Sequence, residues 1–156
     1  LKLLPPMLDF VDTVVNTHNM PPVDLTNSRF GGVLQYIAEN TKPNDEVLFW
    51  GKLLAVNWLS DRDIGSNYIF QDHFFTPGYA SPEMIQGYID DIEAAKPLII
   101  DSTVNRDYYP PIETAVDELP EVVQPLYDYL QSHYVFVEEL NRYGWWVYQY
   151  EGDMQQ

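Results

Sequence analysis

Between Phe30 and Asp101 the chain alternates segments of helical apolar spacing with short apolar runs rich in strand-forming residues. This order of helix, strand, helix, strand, helix, strand is the feature that most limits how the chain can fold. It favours right-handed crossovers and a mainly parallel sheet with helices on both faces. The predicted helices span residues 30–40, 52–61 and 82–95, and the predicted strands span residues 47–50, 68–70 and 98–100.

The residues after Asp101 follow a different pattern. A Pro-rich, acidic loop over residues 105–120 precedes a short predicted helix at 125–132, and "YVFVEEL" and "WWVYQY" around "NRYG" are typical of a β-hairpin. Side chains alternate along a strand, so we expect one of Trp145 and Trp146 to pack inward and the other to face outward.

The two parts together predict a single α/β domain over residues 26–156. We expect a small Rossmann-like three-layer sandwich with a mainly parallel sheet and an antiparallel C-terminal hairpin. Residues 1–25 carry four prolines around short apolar patches, which suits an extended lead-in or linker. The chain begins "LKLLPPMLDF", which we interpret as the start of a piece cut from a longer protein.

Composition excludes several classes of function. With 24 acidic and 8 basic residues, the net charge of -16 offers no basic surface for nucleic acid. The absence of cysteine excludes disulfides, thiolate nucleophiles and Cys-based metal sites. The longest nearly apolar run, residues 47–59, is interrupted by Lys52 and Asn57 and is too short to cross a bilayer.

The Asp61-Arg62-Asp63 triplet is the most suggestive chemical motif. Two carboxylates spaced in this way bind a metal and a sugar nucleotide in many glycosyltransferases, since hard oxygen ligands suit Mg²⁺ or Mn²⁺. In such enzymes the motif normally follows an apolar strand, whereas here it ends a predicted helix. A helix-ending polar turn is therefore the favoured interpretation, and a metal site at Asp61 and Asp63 is the alternative.

Other catalytic signals are weak. The turn "WGKLLAVN" has one glycine where a dinucleotide fingerprint needs three, and no Gly-x-Ser-x-Gly turn is present. His73 is the one plausible general base, and a structural or interfacial histidine is the favoured interpretation. We therefore assign no catalytic residue and predict no cofactor.

Ligands of open α/β sheets bind at the carboxyl ends of the strands. The loops "QDHFFTPGYA" and "DSTVNRDYY" follow predicted strands, so we expect ligand contact there rather than at the Asp-x-Asp turn. Aromatic faces beside acids and amides suit saccharide recognition, although the same groups also make ordinary polar caps. The candidate ligand-binding residues are Asp72, His73, Phe75, Tyr79, Asp101, Arg106, Asp107 and Tyr109.

The stretches "DEVLFWG", "SNYIFQDHFFTPGY" and "IDDIEAAKPLIID" occur in an order that resembles a known family. The chain from residue 30 to 101 is similar to the soluble C-terminal domain of polytopic glycosyltransferases of the dolichyl-phosphate-mannose-protein mannosyltransferase type. These enzymes use a polyprenyl-phosphate sugar as donor. The matching positions are Trp50, Gly51, Arg62, Tyr68 and the run from Pro97 to Asp101.

The resemblance implies an extracytoplasmic accessory domain without the active centre, as part of a larger membrane protein. Its partners would be its own upstream transmembrane domain and a saccharide or an acceptor protein. Two alternatives stay open: a freestanding ligand-binding or hydrolytic α/β domain that uses the strand-end cleft, and a metal-dependent glycosyltransferase that uses Asp61 and Asp63.

Overall fold

A computed structural model describes residues 30–52, 54–104, 109–140 and 144–152. The predicted lead-in over residues 1–25 lies outside this part of the chain. The helices are α1 (Gly31–Asn40), α2 (Leu54–Ser60), α3 (Pro82–Ala95) and α4 (Gln124–His133), and the strands are β1 (Val47–Trp50), β2 (Leu98–Asp101), β3 (Tyr134–Leu140) and β4 (Trp145–Tyr150). The predicted helices, the predicted strands at residues 47–50 and 98–100, and the C-terminal hairpin are confirmed.

The longest described helix, α3, illustrates how local sequence defines an element. The Ser81 side chain accepts a hydrogen bond from the Met84 backbone N–H at 3.2 Å, and Pro82 occupies the first turn. The helix ends at Ala95, and the next residue, Lys96, adopts the left-handed conformation with φ 49°. Its buried face consists of Ile85, Tyr88, Ile89 and Ile92. None of the helices within the described residues is long and apolar enough to cross a membrane.

The four strands form one mixed sheet in the order β1-β2-β4-β3. β1 and β2 are parallel, with Val47 opposite Leu98 and Trp50 opposite Asp101. β4 pairs antiparallel with both β2 and β3, and a register shift interrupts the β3/β4 ladder between Phe136 and Glu138. The predicted mainly parallel sheet is therefore wrong, because only one of the three strand pairs is parallel.

The predicted strand at residues 68–70 is not a strand. Asp91 on α3 accepts hydrogen bonds from Ser66 Oγ and from the Asn67 backbone N–H, at 3.3 and 2.9 Å, and these bonds attach the segment to the helix. Tyr68 packs edge-on against Tyr88, with ring centroids 5.7 Å apart. The edge of β2 that does not pair with β1 is occupied by β4.

Each face of the sheet carries its own apolar cluster. Val47 and Phe49 of β1 pack with residues of α1 and α2, whereas Leu48 and Trp50 of the same strand pack with residues of α3 and α4. The alternation extends to Trp145 and Trp146, which belong to opposite faces. Trp145 is buried and Trp146 is partly buried, so the expectation that one of them faces outward is wrong.

Candidate functional site

The parallel pairing of β1 and β2 brings their carboxyl ends to one edge of the sheet. A buried glutamine, Gln71, connects the segments that meet there. Its Oε1 accepts hydrogen bonds from the Tyr109 hydroxyl at 2.7 Å and from the Gly51 N–H at 3.4 Å, and its Nε2 donates to the Tyr88 hydroxyl at 3.0 Å. Burial raises the pKa of both tyrosines, which keeps the phenols neutral at physiological pH. Sequence reasoning missed Gln71, because its partners come from three distant segments.

Asp101, a predicted ligand-binding residue, is fully buried at the end of β2. Its carboxylate accepts hydrogen bonds from the Thr103 N–H at 2.8 Å, the Thr103 hydroxyl at 2.6 Å and the Ile112 N–H at 2.9 Å. Burial raises the pKa of the Asp101 carboxyl, and the hydrogen bonds from Thr103 and Ile112 oppose that rise. The carboxylate therefore organises the loop after β2.

We expect the Thr103→Val substitution to destabilise the protein more at pH 7 than at about pH 4. The raised pKa keeps Asp101 protonated in the folded state over a pH window in which the Asp101 carboxyl of the unfolded chain has already ionised. The free energy of unfolding therefore falls as the pH rises through that window. Removal of the Thr103 hydroxyl raises the pKa of Asp101 further. The loss should be about 1 kcal/mol at a pH where folded Asp101 is protonated and about 2 kcal/mol above that window, where the hydrogen bond is to a charged group.

Urea denaturation at the two pH values measures this difference. Thr76→Val is the matched control, because the Thr76 hydroxyl donates to the Asp72 backbone carbonyl at an exposed position. Equal losses for Thr103→Val at both pH values would contradict the linkage to Asp101.

The surface above this buried network carries three more of the candidate residues, Asp72, His73 and Tyr79. Lys52 Nζ lies 2.9 Å from Asp72 Oδ1, with 44% and 39% of the two side chains exposed. The His73 ring stacks on the Tyr79 ring, with centroids 4.9 Å apart, and Tyr79 is 54% exposed. The structure thus brings Asp72, His73 and Tyr79 together on the surface; we call this set, with Lys52, the strand-end surface.

The other predicted site residues have different positions. Phe75 is partly buried and stacks on Tyr109 at 5.2 Å between ring centroids, and Tyr109 is buried. Both pack in the apolar cluster that Leu48 and Trp50 form with α3 and α4. Arg106 and Asp107 lie outside the described residues.

The Asp61-Arg62-Asp63 triplet forms the turn that ends α2, as the favoured interpretation predicts. Asp61 adopts a φ of 54°, and the Arg62 N–H donates to the Asn57 carbonyl at 3.2 Å. The Arg62 guanidinium donates to Thr41 Oγ1 at 3.0 Å and to the Ser60 carbonyl at 2.9 Å, so it ties the turn to the end of α1. The part of the chain that the structure describes contains no group of three or more His, Cys, Asp or Glu residues that could hold a metal ion.

Two cavities lie at the opposite edge of the sheet, beside the amino ends of β1 and β2. One of about 660 Å³ is lined by Glu46, Ser66 and Asp91 among others, and one of about 460 Å³ by Asn44, Lys96 and Tyr150 among others. A third, of about 300 Å³, lies beside the Asp-x-Asp turn. Sequence reasoning missed these cavities, because residues far apart in the chain line each of them.

The fold and the site together define a mixed α/β domain with a buried polar network at the carboxyl ends of its parallel strands. No family model, no curated protein and no solved structure matches the chain. The resemblance to mannosyltransferase C-terminal domains therefore stays a hypothesis.

Proposed function

We propose that this chain is a non-catalytic accessory domain of a membrane glycosyltransferase that uses a polyprenyl-phosphate sugar. It would lie on the extracytoplasmic face of the membrane, beside its own upstream transmembrane domain, and bind acceptor protein through the strand-end surface. The separate apolar clusters on the two faces of the sheet support description of the fold as a small Rossmann-like three-layer sandwich.

The observation that carries the proposal is that the buried polar groups at the strand-end edge are engaged by one another. Asp101 accepts three hydrogen bonds from the loop that it organises, and Gln71 joins Gly51, Tyr88 and Tyr109. An activated nucleophile needs a base within hydrogen-bond reach and a third group that orients the base. Asp101 and Gln71 stabilise the fold instead, and this role suits a recognition domain better than an enzyme.

The positions that carry the family resemblance also have structural roles. Trp50 Nε1 donates to the Pro110 carbonyl at 3.1 Å, and Arg62 bonds the end of α1. A side chain at Gly51 would overlap the hydroxyl of Ser102. An accessory domain would share with its relatives the residues that maintain its architecture, whereas a catalytic domain would share the reacting groups.

The strand-end surface has the composition of a recognition surface. It combines an exposed aromatic pair, His73 and Tyr79, with the ion pair of Lys52 and Asp72. Aromatic side chains supply apolar contact area, and charged groups orient a partner. The exposed ion pair by itself contributes little to stability, so it is available for rearrangement on binding.

The proposal predicts that a Ser/Thr-rich acceptor peptide shifts the amide resonances of Asp72, His73 and Tyr79 in the isotopically labelled 156-residue chain. Tyr79→Ala should weaken peptide binding about ten-fold, as expected for loss of one aromatic anchor. Phe136→Ala is the matched control, because Phe136 is also about half exposed, at 51%, and lies on β3. The measurement is the peptide dissociation constant from the shift titrations.

Two results would contradict the accessory role. One is peptide shifts that avoid the strand-end surface altogether. The other is turnover of a polyprenyl-phosphate mannose by the purified chain, abolished by Asp61→Ala or Asp63→Ala, which would favour the metal-dependent alternative.

A further inference from the structure

Trp58, on the last turns of α2, is the most exposed large apolar side chain among the described residues, at 82%. Its neighbours in the helix behave differently, since Val56 and Asn57 are buried. Tryptophan is normally highly buried, and an exposed indole is a typical binding anchor. Trp58 lies at the rim of the cavity of about 300 Å³ noted above.

Asn57 lines the same cavity and is 4% exposed. Its Nδ2 donates to the Val47 carbonyl, whereas its Oδ1 is buried without a hydrogen-bond partner. Buried polar atoms are normally paired, so an unpartnered acceptor on a residue that lines a cavity requires an explanation. A donor brought by a ligand, with a small shift of the surrounding side chains, would supply the missing partner.

Two carboxylates complete the cavity wall. Its lining residues are Pro43, Asn57, Trp58, Asp61, Arg62 and Asp63. The Arg62 guanidinium is occupied by Thr41 and by the Ser60 and Asp61 carbonyls. Asp61 and Asp63 thus add two carboxylates, which are hydrogen-bond acceptors, to the residues that line the cavity with Asn57.

We propose that this cavity, bounded by Trp58, Asn57, Asp61 and Asp63, binds a neutral saccharide. A sugar ring presents hydroxyl donors at its edge, which suit carboxylate and amide acceptors, and an apolar C–H face, which packs on an exposed indole. A volume of about 300 Å³ is at the lower end of the range of small-molecule sites and suits one ring better than a long oligosaccharide. The net charge of -16 disfavours a sugar phosphate.

This site differs from the strand-end surface and does not depend on the accessory role. It also departs from the expectation that ligand contact avoids the Asp-x-Asp turn. The two carboxylates here act as hydrogen-bond acceptors and not as metal ligands, since the described residues offer no third carboxylate or imidazole to complete a metal site.

The test is an NMR titration of the labelled full chain with methyl α-D-mannopyranoside and methyl α-D-glucopyranoside, with and without EDTA. We expect saturable shifts of the Trp58 indole N–H and the Asn57 side-chain amide that EDTA does not change. Trp58→Ala should weaken binding at least about ten-fold, and Trp58→Phe should retain most of it. The high exposure of Trp58 leaves both variants folded.

Two further variants sharpen the result. Asp61→Asn keeps the left-handed backbone, which Asn tolerates, and should weaken binding by loss of a charged acceptor. Phe136→Ala removes a partly exposed aromatic ring from β3 and should leave binding unchanged.

The proposal is overturned if neither sugar produces saturable shifts, if Trp58→Ala binds as the parent chain does, or if binding requires added Mg²⁺ or Mn²⁺. Each of these results leaves the peptide titration of the strand-end surface unaffected. Failure of the saccharide site and failure of the accessory role are therefore separate outcomes.

Discussion

The Gly51→Ala substitution is expected to lower the free energy of unfolding by about 3 to 5 kcal/mol. Gly51 follows β1 with a φ of 142°, a conformation that residues with a Cβ rarely adopt. An added Cβ would overlap the Ser102 hydroxyl and lie 3.3 Å from Ser102 Cβ. The Ser102 hydroxyl donates to the Trp50 carbonyl at 3.2 Å, so it cannot move away without loss of a buried hydrogen bond. Urea denaturation measures the change.

Gly78→Ala is the matched control for this prediction. Gly78 also has a positive φ, 75°, but a Cβ there meets no atom within 4 Å. This variant carries backbone strain without crowding and should lose only about 1 kcal/mol. The double variant Gly51→Ala/Ser102→Ala removes the overlap and should recover part of the loss. If Gly51→Ala were no more harmful than Gly78→Ala, the close approach of the two strand ends would be refuted.

Asp101→Ala is expected to lower the free energy of unfolding by a similar amount, about 3 to 5 kcal/mol. The substitution leaves the backbone N–H groups of Thr103 and Ile112 and the Thr103 hydroxyl without their acceptor in a buried environment. Typical domains are stable by only about 5 to 15 kcal/mol, so this loss would remove a large fraction of the free energy of unfolding. Thermal and urea denaturation report the loss.

The control for Asp101→Ala is Asp90→Ala on the exposed face of α3. Asp90 accepts one hydrogen bond from Gln86 at the surface, and its removal should change stability by no more than about 0.5 kcal/mol. A ligand-binding role for Asp101 would give the opposite pattern: lost binding with stability retained. That result would contradict the structural role that we assign to this carboxylate.

The candidate site was predictable where its residues are close in the chain. Asp72, His73 and Tyr79 lie within one loop, and His73 and Tyr79 are stacked as a local pair. The burial of Asp101 was not predictable, because the sequence does not distinguish a solvated carboxylate from one that buried donors surround. The Asn57 acceptor was missed for a similar reason, since an unpaired atom becomes visible only when every neighbour has a position.

The sequence by itself determined the helices, the two parallel strands and the hairpin. Each of these elements is specified by patterns a few residues apart, such as the Ser81 cap with Pro82, or the apolar run of β1. Hydrogen bonds and side-chain spacing at this range form within the element, so no distant contact is needed to anticipate them.

Only the tertiary structure decided which strands are neighbours and which polar groups are buried. Residues 68–70 have strand-forming side chains, yet Tyr68 packs against α3 and β4 takes the edge of β2. A strand forms only where a partner supplies its backbone hydrogen bonds, and that partner comes from a distant part of the chain. In this chain β4 of the C-terminal hairpin pairs antiparallel with β2, and residues 68–70 form no strand. The sheet is therefore mixed, although the sequence alternates helical and strand patterns.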